Sequence, residues 1–218
     1  MSTELLNISD GETSGRGRIR INPENPTFEW GRQSRMWANQ VAERLGFSKE
    51  EYINTLPKFG PKPESFKDLG IPAVPMLVDP RVDLPDLLDI LQISCFFNPQ
   101  NLKDWPEGDF QTPREPYACW LAYIPNISVK DICADLFKHE DRRGGIPFDG
   151  VALYLRDAFL LNEYSLKFPG SRVGDENAPF LFALPNPEMS QRPSHPSLSR
   201  GSIDLASPKS ACLIAGKV

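Results

Sequence analysis

A Pro-Gly-Ser-Arg turn at residues 169–172 carries the residue types best suited to binding or chemistry. It presents the Ser171 hydroxyl and the Arg172 guanidinium, and the carboxylates Asp175 and Glu176 follow closely. A guanidinium binds a carboxylate or phosphate through two parallel hydrogen bonds. The segment therefore predicts a ligand site on a loop, with Arg172 holding an anion.

A structural interpretation of the same loop stays open. Arg172 would then pair with Asp175 and stiffen the loop, while Gly170 and Gly174 would supply the positive φ angles that a tight turn needs. The sequence does not decide between the two interpretations.

A second charged cluster comprises His139, Asp141, Arg142 and Arg143. A histidine beside a carboxylate is typical of a general base, and the arginines are candidates to assist in binding an anion. The alternative is that these side chains follow a helix and complement the partial negative charge at its C-terminal end.

The N-terminal segment contains Arg16, Arg18 and Arg20 within five residues and without an acidic neighbour. Such a segment suits contact with an acidic partner surface or RNA. The whole chain has a net charge of −5, however, which argues against a general nucleic-acid-binding protein. A solvated tail is the other interpretation, since chain termini are usually mobile.

Neither a metal centre nor a cofactor is expected. The cysteines show no C-x-x-C spacing, and only His139 and His195 are available to complete a zinc site. No glycine-rich phosphate-binding motif or Gly-x-Ser-x-Gly nucleophile motif occurs. The short apolar stretches around Cys119 and Cys133 predict buried, reduced thiols. The four cysteines are Cys95, Cys119, Cys133 and Cys212.

Helices must position several of these groups. Apolar residues recur at three- and four-residue steps from Phe28 to Leu45, which predicts a helix with one buried face that ends at Gly46. Ser48 and Glu51 have the spacing of a capping box and start a second helix. Further helices are predicted over 84–91, from Ser128 to about 137, and from about 147 to 159.

Strands are predicted where apolar residues run without interruption. The segments are the second half of 71–79, 93–97, 117–124, 179–184 and 211–215. Residues 117–124 show no alternation, so we expect a strand covered on both faces. The loop 98–116, the turn 138–145 and the Pro/Ser-rich stretch 185–199 are predicted to lie outside the sheet.

The order of these elements predicts an α+β fold. We expect a flexible N-terminal tail over residues 1–25 and a single domain over 26–218, with a mixed sheet of about four to five strands, helices packed on it and long Pro-rich loops. The apolar segments around Trp120 and Leu181 should lie side by side, with the Gly-Ser-Arg corner at their rim.

Composition limits the class of protein. Hydrophobic residues make up 40% and charged residues 24% of 218 residues, which is ordinary for a soluble protein. No apolar run approaches the roughly 20 residues of a membrane span, and the N-terminus lacks the features of a signal peptide. A cytoplasmic protein without a membrane partner is therefore expected.

Three segments resemble a family of uncharacterised bacterial proteins. They are Leu45-Gly-Phe-Ser-Lys-Glu-Glu-Tyr, Asp141-Arg-Arg-Gly-Gly-Ile-Pro-Phe-Asp-Gly-Val-Ala-Leu-Tyr, and Pro169-Gly-Ser-Arg-Val-Gly-Asp followed by Ala178-Pro-Phe-Leu-Phe. The likeness covers roughly residues 40–215 and is sharpest at the Gly-Ser-Arg loop. It implies a bacterial cytoplasmic protein and supplies no catalytic residues.

The chain departs from that family in two places. Pro147-Phe-Asp-Gly stands where the family has a Thr-x-x-Glu-Gly stretch, and Pro193-Ser-His-Pro-Ser replaces a Trp-rich segment. The resemblance therefore adds an expectation of origin rather than one of activity.

Two functions remain in competition. The first is a non-catalytic binding or scaffold protein that engages a protein partner through the tail and the Pro-rich loops. The second is an enzyme acting on a small anionic substrate, with Arg172 as anion clamp, Ser171 or Asp175 as reacting group, and Arg142 or Arg143 assisting. The tryptophans Trp30 and Trp37 fit either core packing or a partner surface.

Overall fold

A mixed β-sheet runs through the computed structural model, which describes residues 26–67, 72–105, 112–136, 139–184 and 195–216. The strands are β1 (Val74–Val78), β2 (Ser94–Cys95), β3 (Leu102–Asp104), β4 (Tyr117–Pro125), β5 (Arg142–Gly144), β6 (Ser165–Lys167), β7 (Ser171–Val173), β8 (Asn177–Leu184), β9 (His195–Ser202) and β10 (Ser210–Gly216). The α-helices are α1 (Pro26–Val41), α2 (Lys49–Asn54), α3 (Leu84–Ile90), α4 (Val129–Leu136), α5 (Pro147–Arg156) and α6 (Leu160–Glu163).

In the described part of the chain, eight strands form one sheet in the order β1-β4-β10-β6-β8-β9-β2, with β5 also beside β10. Most pairs are antiparallel, but β6 with β10 and β2 with β9 are parallel. The α+β class is therefore confirmed, whereas the expected four to five strands are too few. The strands of this sheet that were not predicted are β5, β6 and β9, and the first two have only three residues each, too short for a recognisable alternation.

The expected contact between β4 and β8 is wrong. Both strands belong to the sheet, but β10 and β6 lie between them. Hydrophobicity predicts that a strand is buried. It does not predict which strand lies beside it, because any of several apolar strands could form the same backbone hydrogen bonds.

The Pro/Ser-rich stretch also behaves differently from the prediction in its second part. His195–Ser202 pairs with β8 over eight residues, from Leu184↔His195 to Asn177↔Ser202. Serine and glycine dominate this strand, so its sequence has weak β-propensity. The strand is stabilised by backbone hydrogen bonds to its apolar neighbour β8, which the side chains of β9 do not indicate.

Strand β4 has a core on each side, as its sequence predicts. Tyr117, Cys119 and Leu121 belong to the cluster that includes α1, α3 and α5, whereas Ala122 belongs to a second cluster with α4. Residues i and i+2 of a strand share a face, so this alternation places the two cores on opposite faces of the sheet.

Helix α1 covers the free edge of β1. The Gln33 side chain donates to the Pro75 carbonyl at 2.8 Å and accepts from the Leu77 N–H at 2.8 Å. The Trp37 indole donates to the Leu77 carbonyl at 2.9 Å. Edge strands present unpaired backbone groups, and here side chains of a helix satisfy them.

The helix boundaries follow their local signals. The predicted helix over 28–45 is found as α1 and a following turn, which ends at Gly46 with φ +77°. Ser48 and Glu51 form the expected reciprocal capping box, and Ser128 accepts from the N–H of Asp131. Of the helices in the described ranges, none combines the length and apolar character needed to cross a bilayer.

Candidate functional site

The Gly-Ser-Arg corner is a strand instead of an exposed turn. Ser171–Val173 forms β7 and pairs antiparallel with β3, and the side chains of Ser171 and Arg172 are only 3% and 4% exposed. The corner was expected to present an outward-facing hydroxyl and guanidinium, but both residues are largely buried beside a close backbone approach of Gly144 and Gly170.

That approach requires glycine at two positions. A Cβ atom on Gly144 would lie 2.3 Å from the backbone nitrogen of Gly170, and one on Gly170 would lie 2.5 Å from the Gly144 carbonyl oxygen. The Gly170 N–H also donates to the Gly145 carbonyl at 2.9 Å. The two glycine-containing motifs around residues 142–150 and 167–173 are thus in direct backbone contact. Gly174 has the expected positive φ, but Gly170 is required for proximity.

Arg172 lies beneath an aromatic ring. Its guanidinium carbon is 3.8 Å from the centroid of the Trp105 ring, and its nitrogens contact the Ser171 carbonyl and the Cys133 sulfur. Burial lowers the pKa of Arg172, and the Cys133 sulfur opposes this effect. No ion pair joins Arg172 to Asp175 among the described residues, and Asp175 is exposed. The loop-stiffening pair is therefore not formed.

Arg142 is buried near α4. Its guanidinium donates to the Ser65 carbonyl and lies 3.7 Å from the Asp135 carboxylate, with Phe66 stacked nearby. His139 donates its backbone N–H to the Leu136 carbonyl just beyond α4. These contacts tie the polar turn 139–142 to the helix end, and the turn then continues as strand β5, which was not predicted.

Arg143 points to the opposite face and forms a buried network. It donates two hydrogen bonds to Asp149, at 2.6 and 3.0 Å, and the Tyr117 hydroxyl donates to the same carboxylate at 2.8 Å. The Ile146 N–H completes the set at 2.9 Å. Burial lowers the pKa of Arg143, but the charge and hydrogen bonds of Asp149, together with Tyr117 and Cys119, outweigh this and raise it. Burial and Asp149 both raise the pKa of Tyr117.

The five residues predicted to form a ligand site therefore do not meet in one cleft. Arg142 and Arg143 leave β5 on opposite sides, Arg172 stacks on Trp105, and Asp175 is exposed. Ser171 is the one among them that lines a cleft.

The cysteines are held as protonated thiols at neutral pH. All four are free, and Cys119, Cys133 and Cys212 are buried. Burial raises the pKa of Cys133 to about 11 and that of Cys212 to about 12. A nucleophilic cysteine needs a lowered pKa, so these thiols act as small core residues.

The cleft beside Ser171 has a volume of about 380 Å³. Its walls are the first residues of α3 and α5, the short turn at 99–101, and β3 with β7. Ligand pockets in proteins commonly occupy roughly 300–1,000 Å³. The lining residues are Asp83, Leu84, Pro85, Pro99, Gln100, Leu102, Asp104, Thr112, Pro147, Phe148 and Ser171.

Two carboxylates contribute to this cleft. Asp83 occupies the N-cap position of α3, yet its side chain makes no capping hydrogen bond. Asp104 accepts from the N–H of Thr112 at 2.9 Å and from its hydroxyl at 2.6 Å. Lysine, arginine and histidine are absent from the described lining. The cleft is thus negatively charged, which is unsuited to an anion.

Sequence reasoning missed Asp83, Asp104 and Phe148 as site residues. They lie on three separate segments. In the sequence alone, Asp83 has the pattern of a helix cap, Asp104 that of a loop residue and Phe148 that of a helix residue. The predicted loops do supply the walls, but only folding brings those loops together.

A second unpredicted contact joins two sheet strands. The Ser94 hydroxyl and the His195 Nε2 are 2.8 Å apart, at the paired ends of β2 and β9. Among the described residues no carboxylate contacts the His195 ring, and this pair is exposed. A nucleophile–base pair of the hydrolase type has a third group that orients the histidine.

The tryptophans mainly serve packing. Trp37 is 2% exposed, and the Trp30 and Trp120 indoles donate to the backbone carbonyls of Pro57 and Gly60. The core interpretation therefore fits Trp37. In the part of the chain that the structure describes, no group of three or more His, Cys, Asp or Glu side chains is placed to hold a metal ion.

Arg16, Arg18 and Arg20 lie outside the described residues, so their role in partner binding stays a prediction. Comparison of the chain with protein-family models, curated proteins and solved structures gave no match. The resemblance to a bacterial family likewise stays a prediction.

Proposed function

We propose that the protein is a non-catalytic binding protein that engages a protein partner through the cleft beside Ser171. The observation that carries this proposal is Ser171: the residue is only 3% exposed, it lines the cleft, and its hydroxyl makes no hydrogen bond to another described residue although its oxygen is not sealed from solvent. A hydroxyl that reaches solvent only at a cleft can exchange its water for a hydrogen-bonding group of a ligand.

The placement of the other reactive groups supports a binding role over catalysis. Arg143 and Asp149 are committed to each other, and the buried thiols have raised pKa values. The walls of the cleft consist of loops and helix starts that are rich in proline. Proline restricts the backbone, so less conformational entropy is lost when a partner binds.

An enzyme acting on a small anion receives no support from this geometry. Asp83 and Asp104 would repel an anion from the cleft, and Arg172 faces Trp105. We therefore do not assign Arg172 the role of an anion clamp, and we assign the cleft the role of a surface for a protein partner.

Photo-crosslinking in cells tests the proposal. A photoreactive amino acid replaces exposed Gln100 in the cleft or exposed Glu43 outside it. We expect a discrete protein adduct from position 100 and none from position 43. Pro85→Trp, which fills the cleft mouth without removing a backbone donor, should abolish the adduct, and the matched variant Pro61→Trp should preserve it. Equal adducts from both positions, or an adduct that survives Pro85→Trp, would contradict the proposal.

A further inference from the structure

We infer that the cleft receives a basic side chain, an arginine or lysine presented by a segment of the partner protein. This inference rests on the proposed function and names the chemistry of the group that is bound. Its basis is the combination of two carboxylates, the hydroxyl of Ser171 and apolar walls in a single cleft of about 380 Å³.

The charge of the cleft selects a cation. Asp83 and Asp104 have no ion-pair partner in the described ranges, whereas buried Glu29, Asp79 and Asp149 all have an arginine. The carboxylate at Asp83 is also free of the capping bond that its position would normally give it. A cationic group entering the cleft would pair with the Asp83 carboxylate and with the remaining lone pairs of Asp104, whose two oxygens already accept from Thr112.

The Ser171 hydroxyl is an independent indication of a ligand. The residue is only 3% exposed and lines the cleft, on the opposite side of β7 from the side chain of Arg172. A hydroxyl oxygen also accepts from an N–H donor, although more weakly than a carboxylate does. The cleft thus offers acceptor oxygens from three separate elements, the start of α3, β3 and β7.

The walls distinguish a side chain from a metal ion. Leu84, Leu102 and Phe148 line the same space, and they match the aliphatic stem of lysine or arginine. The face of an aromatic ring such as Phe148 also attracts a cation. Calcium and magnesium prefer six or more oxygen ligands and gain nothing from apolar walls.

Peptide titration of the full chain tests the inference. The probe is acetyl-Ala-Arg-Ala-amide, and the matched control carries citrulline, which keeps the shape and loses the charge. We expect the citrulline peptide to bind at least about tenfold more weakly, a difference of roughly 1.4 kcal/mol. Affinity for the arginine peptide should also fall as salt is raised, because a partly exposed ion pair is screened.

Variants of the protein locate the binding. Asp83→Asn with Asp104→Asn should reduce affinity for the arginine peptide by about tenfold or more. The exposed pair Glu43→Gln with Glu50→Gln, which changes the net charge equally, should leave it unchanged. The citrulline comparison needs no protein variant, so it stays decisive if the double aspartate variant fails to fold.

The chain's own arginines are the competing source of a basic group. Full-length protein with Arg16, Arg18 and Arg20 changed to alanine separates the two sources. Equal affinity of this variant and the wild type for the arginine peptide supports a group from the partner. Tighter binding by the variant means that the chain's own tail occupies the cleft and would overturn the partner assignment.

The remaining outcomes are also decisive. Equal binding of arginine and citrulline peptides, or stabilisation by Ca²⁺ or Mg²⁺ without peptide binding, would overturn the basic-side-chain assignment. If the adduct from position 100 still forms in that case, the proposed function stands and only the ligand chemistry is wrong. Loss of that adduct would remove the proposed function itself.

Discussion

The carboxylates of the interior and those of the cleft differ in what surrounds them. Buried Asp149 has Arg143, buried Asp79 has Arg81, and buried Glu29 has two arginines. Asp83 and Asp104 line the cleft without a described cation, and Asp104 is held only by hydrogen bonds from Thr112. Burying an unpaired charge costs a large desolvation free energy, so acidic residues in the interior need a cationic partner. In a solvated cleft, water lowers this cost and a carboxylate can stay unpaired.

The strongest test of this contrast is Asp149→Asn. The substitution leaves Arg143 buried without its counterion and weakens the bonds from Tyr117 and Ile146. Breaking one partner of a buried pair typically costs about 3–5 kcal/mol. We expect a loss of that size in urea unfolding at pH 7. A loss below about 1 kcal/mol would mean that the network does not hold α5 against the sheet.

The next largest effect is expected at low pH, where the stabilisation from Glu29 and its two arginine partners should be lost. Burial raises the pKa of Glu29, but Arg156, Arg32 and a hydrogen bond from Gln33 together outweigh this and hold the pKa below its ordinary value. Because the folded-state pKa is lower than the unfolded one, the ionised carboxylate stabilises the fold above pH 4.5. That contribution is lost as the pH falls through the lowered folded value.

Urea unfolding between pH 6 and pH 3 measures this effect. Glu29→Gln should be less stable than the wild type at pH 6, and the difference should shrink towards pH 3. A constant difference across that range would show that charge is not the source of the contribution. Glu50→Gln, at an exposed position of α2, is the matched control.

The smallest expected effect on the free energy of unfolding concerns a carboxylate of the cleft. Asp83→Asn removes an exposed charge that pairs with nothing in the described chain, and asparagine suits an N-cap equally well. We expect a change in unfolding free energy within about 0.5 kcal/mol. A markedly stabilised variant would also fit charges kept for binding, but a loss above about 1 kcal/mol would assign Asp83 a structural role.

Local signals made several elements predictable. The capping box at Ser48, the side-chain cap at Ser128 and the apolar periodicity of α1 act within a few residues, so they determine structure before any tertiary contact forms. The same holds for β4, whose unbroken apolar run requires cover on both faces. Strand β9 has no such signal, and its pairing partner determines it.

The candidate site shows the opposite dependence. The sequence correctly marked Ser171 and its glycine-containing segment as unusual, but it placed Arg172 in the same site. The side chains of Ser171 and Arg172 leave β7 on opposite sides, because successive residues of a strand alternate. One of them therefore reaches the cleft and the other reaches Trp105.

By itself the amino-acid sequence determined the α+β class, most helix positions and the burial of the long strands, since these depend on periodicity and caps within one segment. Only the tertiary structure decided the strand order, the backbone contact of Gly144 with Gly170 and the charge of the cleft. Those properties arise between segments far apart in the chain, and no local pattern specifies which of them meet.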